Sequence, residues 1–213
     1  MPQEGKRIKG SAGERAQARD RLRAELLSAA RALADESAGF DSVTVRSVAD
    51  RVGYTAPIVY QYFANKRALL VGLVDVGFAE LADRLGRAQC PEEYARLGGP
   101  LLAVATAYWE FAAENPHLYR LMHTLPDVPF GTPEAPAAAR ECFGVLKAAA
   151  DLGAPDHPAA KFDGDAVADL LWAHLHGLVS LALDGRIKGG PGRARDLLRD
   201  LTISFAGIPM PVE

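Results

Sequence analysis

The chain has 213 residues, 49% of them apolar and 24% charged, with a net charge of −3. That length can bury a sizeable core, and the composition is that of a globular protein rather than a disordered one. Charge is unevenly placed: residues 1–70 carry 12 Lys and Arg against 8 Asp and Glu, and the remainder 12 against 19. A basic head on an acidic body points to a polyanionic partner for the head.

Residues 1–14 hold no hydrophobic period and are predicted to be a disordered basic arm. They contain no apolar segment of the secretory kind. No charge-free apolar run of about 18 residues follows, so no membrane span is expected. Cys90 and Cys142 lack metal or redox spacing, which suits a reducing cytoplasm. From residue 17 onward the pattern is helical nearly throughout, and the predicted fold class is all-α, with about nine helices. Leu22, Leu26, Ala29, Ala30 and Leu33 define a first helix over about 17–37, ended near Gly39. Val45, Val48, Ala49 and Val52 define a short helix over about 44–51, capped by Thr44 or Ser42 and stopped at Gly53. Thr55 is placed to cap a third helix, which carries Pro57 in its first turn and runs to about Phe63. Asn65 caps a fourth, over about 66–87.

Residues 90–100 are predicted to be a connection. Helices follow over about 100–114, 117–124 and 135–152. A proline-rich loop fills 125–136, and a second loop spans 153–164. An almost wholly apolar helix is expected over about 165–186 and a last one over about 193–206, separated by Gly189-Gly190-Pro191. These elements divide into an arm (1–14), a three-helix domain (15–66) and a larger helical-bundle domain (67–213).

The informative stretch is VRSVADRVGYTAPIVYQY, residues 45–62. Ala49 is small enough for two helices to cross closely, Gly53 tolerates a positive φ in the tight turn, and Val59 plugs the gap between the helices. This is the build of a helix-turn-helix whose second helix offers its outer face to a major groove. The wider segment GFDSVTVRSVADRVGYTAPIVYQYFANKRALLVGL resembles the TetR/AcrR family DNA-binding domain. It has the Thr-x-x-x-apolar-Ala helix, the glycine turn, the Tyr-x-Tyr-Phe ending and the Asn-Lys-x-x-Leu start of the next helix.

The resemblance implies double-stranded DNA as partner, bound at a palindromic operator. Thr44 would hold a phosphate at a helix start, and Arg46 would reach a guanine edge. Thr55, Ala56 and Pro57 would face bases. Tyr60 and Tyr62 would clamp phosphates through their hydroxyls, and Lys66 would bind phosphate as a point charge. Arg15, Arg19 and the Lys6, Arg7, Lys9 arm would add nonspecific attraction.

A shorter resemblance lies further on. Trp172, His176 and Gly177, with the segment Asn115-Pro116-His117-Leu118-Tyr119-Arg120-Leu121-Met122, are similar to a Trp-x-x-x-His-Gly subclass of TetR C-terminal domains. His123 stands where that pattern has an apolar residue. Tyr108, Trp109, Phe111, Tyr119, Met122, His123, Phe143, Trp172 and His176 are candidates to line a cavity for a small apolar or aromatic effector. The last two helices are expected to pair with a second copy, giving a homodimer. His174 and His176 point about 200° apart on a helix and cannot share one ion, so no metal and no cofactor is expected. An enzyme is not expected, because no nucleophile–base set, phosphate loop or carboxylate pair is visible. The combined expectation is a dimeric repressor released from its operator by ligand. The competing reading is a nonspecific, architectural DNA-binding protein with no sensing role.

Overall fold

The computed structural model describes residues 11–207, which are entirely helical and loop. Ten α-helices follow in order: α1 (Ala12–Glu36), α2 (Val45–Arg51), α3 (Ala56–Tyr60), α4 (Lys66–Ala88) and α5 (Pro91–Leu97); then α6 (Pro100–Glu114), α7 (Pro116–Thr124), α8 (Ala137–Gly153), α9 (Ala166–Leu183) and α10 (Gly190–Phe205). A 3-10 turn at Pro158–Lys161 precedes α9.

The first helix starts earlier than its apolar period suggests. Ser11 caps it, and the Glu14 carboxylate accepts from the Ser11 amide at 2.6 Å, closing a capping box. A cap satisfies the orphan amides of a first turn that buries nothing, so it extends α1 beyond its hydrophobic stripe. Residues 11–14 of the expected arm are therefore cap and helix, and residues 1–10 lie outside the described part.

Contacts separate the chain into two compact units, one up to Leu73 and one from Val74. In the first, Leu26, Ala30 and Ala34 of α1 pack with Val48 and Ala49 of α2, Val59 of α3 and Leu69 of α4, all fully buried. The division falls at 73/74 rather than 66/67, because the first two turns of α4 belong to this core. A side chain at Gly72 would sit 3.1 Å from Phe63 and 3.2 Å from Leu27. A β-carbon at residue 72 would crowd these side chains where α4 runs beside α1.

In the second unit α6 is the hub. It packs against α5, α7, α8, α9 and α10 and buries nine of its fifteen residues. α9 is more apolar, yet only 28% of it is buried within its own chain. The connection expected over 90–100 contains α5 instead. Pro91 opens it, Glu92 and Glu93 occupy its first turn, Arg96 pairs with Glu93, and Gly98 closes it at φ +96°. No residue of α5 is buried, so capping rather than a hydrophobic stripe specifies it.

Candidate nucleic-acid interface and effector cleft

The helix-turn-helix has the expected interior. Val48, Ala49 and Val59 are fully buried, Phe63 closes one side, and Gly53 takes φ +74° in the turn. α3 is shorter than expected, ending at Tyr60. The next amides tighten to i→i+3 bonds, Gln61 to Ile58 and Tyr62 to Val59, which draw Phe63 inward.

The eight candidate DNA residues fall into two groups. Arg46, Thr55, Pro57 and Tyr60 are exposed, with Tyr60 53% accessible. The Thr55 hydroxyl does not cap α3: Pro57 has no amide to offer, and the Ile58 amide goes to the Thr55 carbonyl at 2.9 Å. That hydroxyl therefore takes no part in capping the helix. Ala56 is half-buried at the foot of the same helix.

The other three have duties inside the unit. The Thr44 hydroxyl accepts the Ser47 amide at 3.0 Å in a capping box for α2. Tyr62 is half-buried, with the Arg19 guanidinium 5.9 Å from its ring centre. Lys66 donates to the Asp41 carbonyl at 2.8 Å, tying the start of α4 to the loop before α2. An ammonium has three hydrogens, so this bond leaves Lys66 able to meet a phosphate. Arg51 and Glu36 form a bidentate pair at 2.9 and 2.6 Å that joins the end of α2 to the end of α1.

The second unit gathers the aromatic candidates differently from a cavity lining. Tyr108, Phe111, Tyr119 and Met122 are buried in packed interior, and Trp109, also buried, borders a separate cleft of about 350 Å³ with Val179, Leu183 and Arg195. Four side chains from three helices form a line of hydrogen bonds. Trp172 Nε1 donates to the Tyr108 oxygen at 3.2 Å, Tyr108 and Tyr119 hydroxyls lie 3.0 Å apart, and Tyr119 is 2.7 Å from His176 Nδ1. An indole N–H only donates. Passing the Tyr108 hydrogen to Tyr119 and the Tyr119 hydrogen to His176 gives each an acceptor, whereas the reverse order strands the Tyr108 hydrogen. His176 is then protonated at Nε2, which faces the Ser180 oxygen at 3.4 Å.

His123 stacks on His176 with ring centres 4.4 Å apart, and its Nδ1 lies 2.9 Å from the Tyr119 carbonyl. Its Nε2 is buried with no partner. Burial raises the Tyr108 and Tyr119 phenols well above their usual range, pushes His123 down to about 4 and lowers His176. Every member of the cluster is therefore neutral at ordinary pH.

Beside this interior lies a cleft of about 400 Å³ between the 125–136 loop, α8 and α9. Of the nine candidates only Phe143 and Trp172 line it; Phe130, Arg140, Asp165 and Asp169 are among the other walls. Trp172 serves both places, with its N–H in the interior and its ring at the cleft. Among the described residues no group of three or more His, Cys, Asp or Glu is arranged to hold a metal ion.

Two family models match the chain. One, described as bacterial regulatory proteins of the tetR family, covers residues 26–73. The other, described as the C-terminal domain of tetracyclin repressor-like proteins, covers residues 101–205, so the two together take in more than two thirds of the chain. The chain belongs to the TetR family of transcriptional regulators.

Relatives of this TetR-family chain include the HTH-type transcriptional regulators Rv1816 of Mycobacterium tuberculosis and Mb1846 of Mycobacterium bovis. Each is 27% identical over 115 residues, which is 54% of this chain and 48% of the relative. The chain thus matches about half the length of these curated relatives. The crystal structure of SCO4313 superposes with a TM-score of 0.67 at 26% identity, covering 90% of this chain and 98% of that one. A TetR transcriptional regulator from Rhodococcus sp. RHA1 superposes with a TM-score of 0.59 at 20% identity, covering 88% and 97%, and shares the fold.

Some TetR-unit residues of note were not singled out by sequence. Tyr54, 44% exposed in the turn before α3, stands beside the exposed Thr55. A bulky aromatic in a tight turn was the signal available. Phe130 and Arg140 of the cleft and Ser180 at the end of the hydrogen-bond line had no such signal, since a loop residue, a lone polar side chain in the first turn of α8 and a lone serine carry no period.

Proposed function

We propose that this TetR-family chain is a homodimeric repressor that binds a palindromic operator and leaves it when a small aromatic molecule enters the cleft. The observation that carries the reading is the pairing of two features in one chain. One is an exposed strip of Arg46, Thr55, Pro57 and Tyr60 over a closed helix-turn-helix core; the other is a cleft of about 400 Å³ walled by Trp172 and Phe143. Arg46 reads a base edge, Thr55, Ala56 and Pro57 face bases, and Thr44, Tyr60, Tyr62 and Lys66 hold phosphates. Tyr54 joins the phosphate group. The effector sits against Trp172 and Phe143, and Tyr108, Tyr119 and His176 position Trp172 rather than touch the ligand.

The α9–α10 pair supports the dimer. Leu170 and Leu181 of α9 are 40% and 45% exposed, and among the described residues no other element comes within 4 Å of where a side chain at Gly177 would stand. An apolar helix left this open within its own chain suits a symmetric partner helix better than water. Ligand acts by favouring one of two arrangements of the dimer, only one of which matches the groove spacing. In a DNA-binding regulator this apolar helix belongs at a subunit interface, and the protein in the cytoplasm.

Gel shifts with DNA upstream of its own gene, in the presence of excess unrelated competitor, test the proposal. A discrete complex that resists competitor is expected. Equal affinity for all DNA would instead establish the architectural reading, and absence of any complex at low salt would sink both.

A further inference from the structure

A second cleft, of about 350 Å³, opens where α6, α9 and α10 meet, and it shares no lining residue with the effector cleft. Each helix turns one face to it. Trp109 and Ala113 of α6 stand one turn apart, as do Val179 and Leu183 of α9 and Pro191 and Arg195 of α10. The space stays open partly because Gly192 adds nothing to it. Among the described residues no other element comes within 4 Å of where a β-carbon at Gly192 would stand. A volume of this size, mostly apolar with a few polar groups, is that of a small-molecule site.

The polar side chains of this lining only donate. Arg195 is its one charged residue and Trp109 carries an indole N–H, while every other lining residue is apolar or glycine. Arginines close by are already engaged. Arg120 bonds the Leu183 carbonyl and the Asp184 carboxylate at the end of α9, and Arg193 donates to the Lys188 carbonyl. Arg195 makes no ion pair or side-chain hydrogen bond among the described residues. Trp109 is 7% exposed, and its N–H likewise meets no acceptor among them. A guanidinium matches a carboxylate through two parallel hydrogen bonds. A second charge on the ligand would face apolar walls and lose its hydration. One carboxylate on an apolar body is the complement of this lining.

We propose that this cleft is a second ligand site, taking a small apolar monocarboxylate whose carboxylate meets Arg195 and whose body lies against Trp109, Val179 and Leu183. It does not rest on the reading of the Trp172 cleft as the effector site. The rival occupant is a second copy of the chain, since α9 and α10 are read as the dimer pair. A symmetric contact sets a patch against itself, and this patch has no carboxylate to answer Arg195. The acid fits it better.

The test uses octanoate and octanamide, which share a chain but not the charge. Isothermal titration of the full chain at neutral pH is expected to show octanoate binding about tenfold tighter than the amide. In Arg195→Gln the amide binds as before, and octanoate falls to within about threefold of it. Gly192→Phe puts a ring into the open space and abolishes binding of both probes. Phe is the better helix former at that position, and a circular-dichroism melt checks that the variant is folded. Arg140→Gln, in the Trp172 cleft, leaves octanoate binding as it was. Equal binding of the two probes, a preference that survives Arg195→Gln, octanoate binding undiminished by Gly192→Phe, or its loss in Arg140→Gln would each overturn the proposal. No binding of either probe would do so too, and a Gly192→Phe chain of lower sedimenting mass than the parent would then give the cleft to a second copy. Operator gel shifts on the same preparations, run without probe, report separately on the regulator reading.

Discussion

The two units close their interiors by different means. The first, up to Leu73, does so with small apolar residues at helix crossings, Ala30, Ala34, Ala49 and Val59, and with caps at helix starts. Its polar side chains remain at the surface. The second, from Val74, buries polar side chains and links them: Tyr108, Tyr119, Trp172 and His176 exchange hydrogens in an otherwise apolar core. The first arrangement makes a rigid frame that tolerates any surface and so presents a recognition strip. The second makes an interior whose energy depends on a few directional contacts, which suits a unit that must respond to what lies beside it.

That contrast can be broken or sharpened by experiment. The largest effect is expected for Leu26→Ala, a fully buried side chain in the first unit. It should cost about 3 kcal/mol and lower one calorimetric transition while leaving that of the second unit in place; a shared shift would show that the two unfold as one body. Next is Tyr108→Phe, which strands the Trp172 N–H and removes the hydrogen that the Tyr119 oxygen accepts, while Tyr119 still donates to His176. A loss of about 2 kcal/mol is expected in urea unfolding of the second unit, with operator binding unchanged. A cost below about 0.5 kcal/mol would mean that the hydrogen-bond line adds little stability.

Between pH 6.5 and about 4, acid should weaken the second unit. The folded His123 holds its proton only below about 4, whereas the unfolded ring takes one near 6.5. Between these values the unfolded state binds more protons, so stability falls as pH drops from about 6.5 towards about 4, by up to about 1 kcal/mol per unit. His123→Leu should reduce that slope, and His176, lowered in the same direction by burial, keeps part of it. The smallest effect is expected for Lys66→Ala. It loses one exposed hydrogen bond to Asp41, at under about 1 kcal/mol, and should lower the salt slope of DNA binding by about one. An unchanged slope would confine Lys66 to bracing α4.

What was legible in the chain follows from the same contrast. The helix-turn-helix is local: Ala49, Gly53 and Val59 lie within eleven residues, and each has a geometric duty that spacing alone reveals. Asn65 could likewise be named as a cap, and its Oδ1 accepts the Ala68 amide at 2.9 Å. α5 escaped notice because a helix that buries nothing has no stripe. The second unit escaped for the opposite reason. Its nine aromatic and related candidates were recognisable as a cluster, but cluster membership does not say which side of a helix faces a void. Tyr108, Tyr119 and Trp172 meet across 64 positions, while the cleft walls Phe130 and Arg140 come from a loop and a helix start without a period.

Trp172 turns its N–H to the interior and its ring to the cleft, and the chain has only one other tryptophan, Trp109, buried on α6. A Trp109→Phe chain would therefore carry a single fluorophore whose emission reports two things at once. A quencher entering the cleft dims it, and a change in the Tyr108 bond shifts its colour. The protein contains its own optical gauge of occupancy, readable without label or DNA.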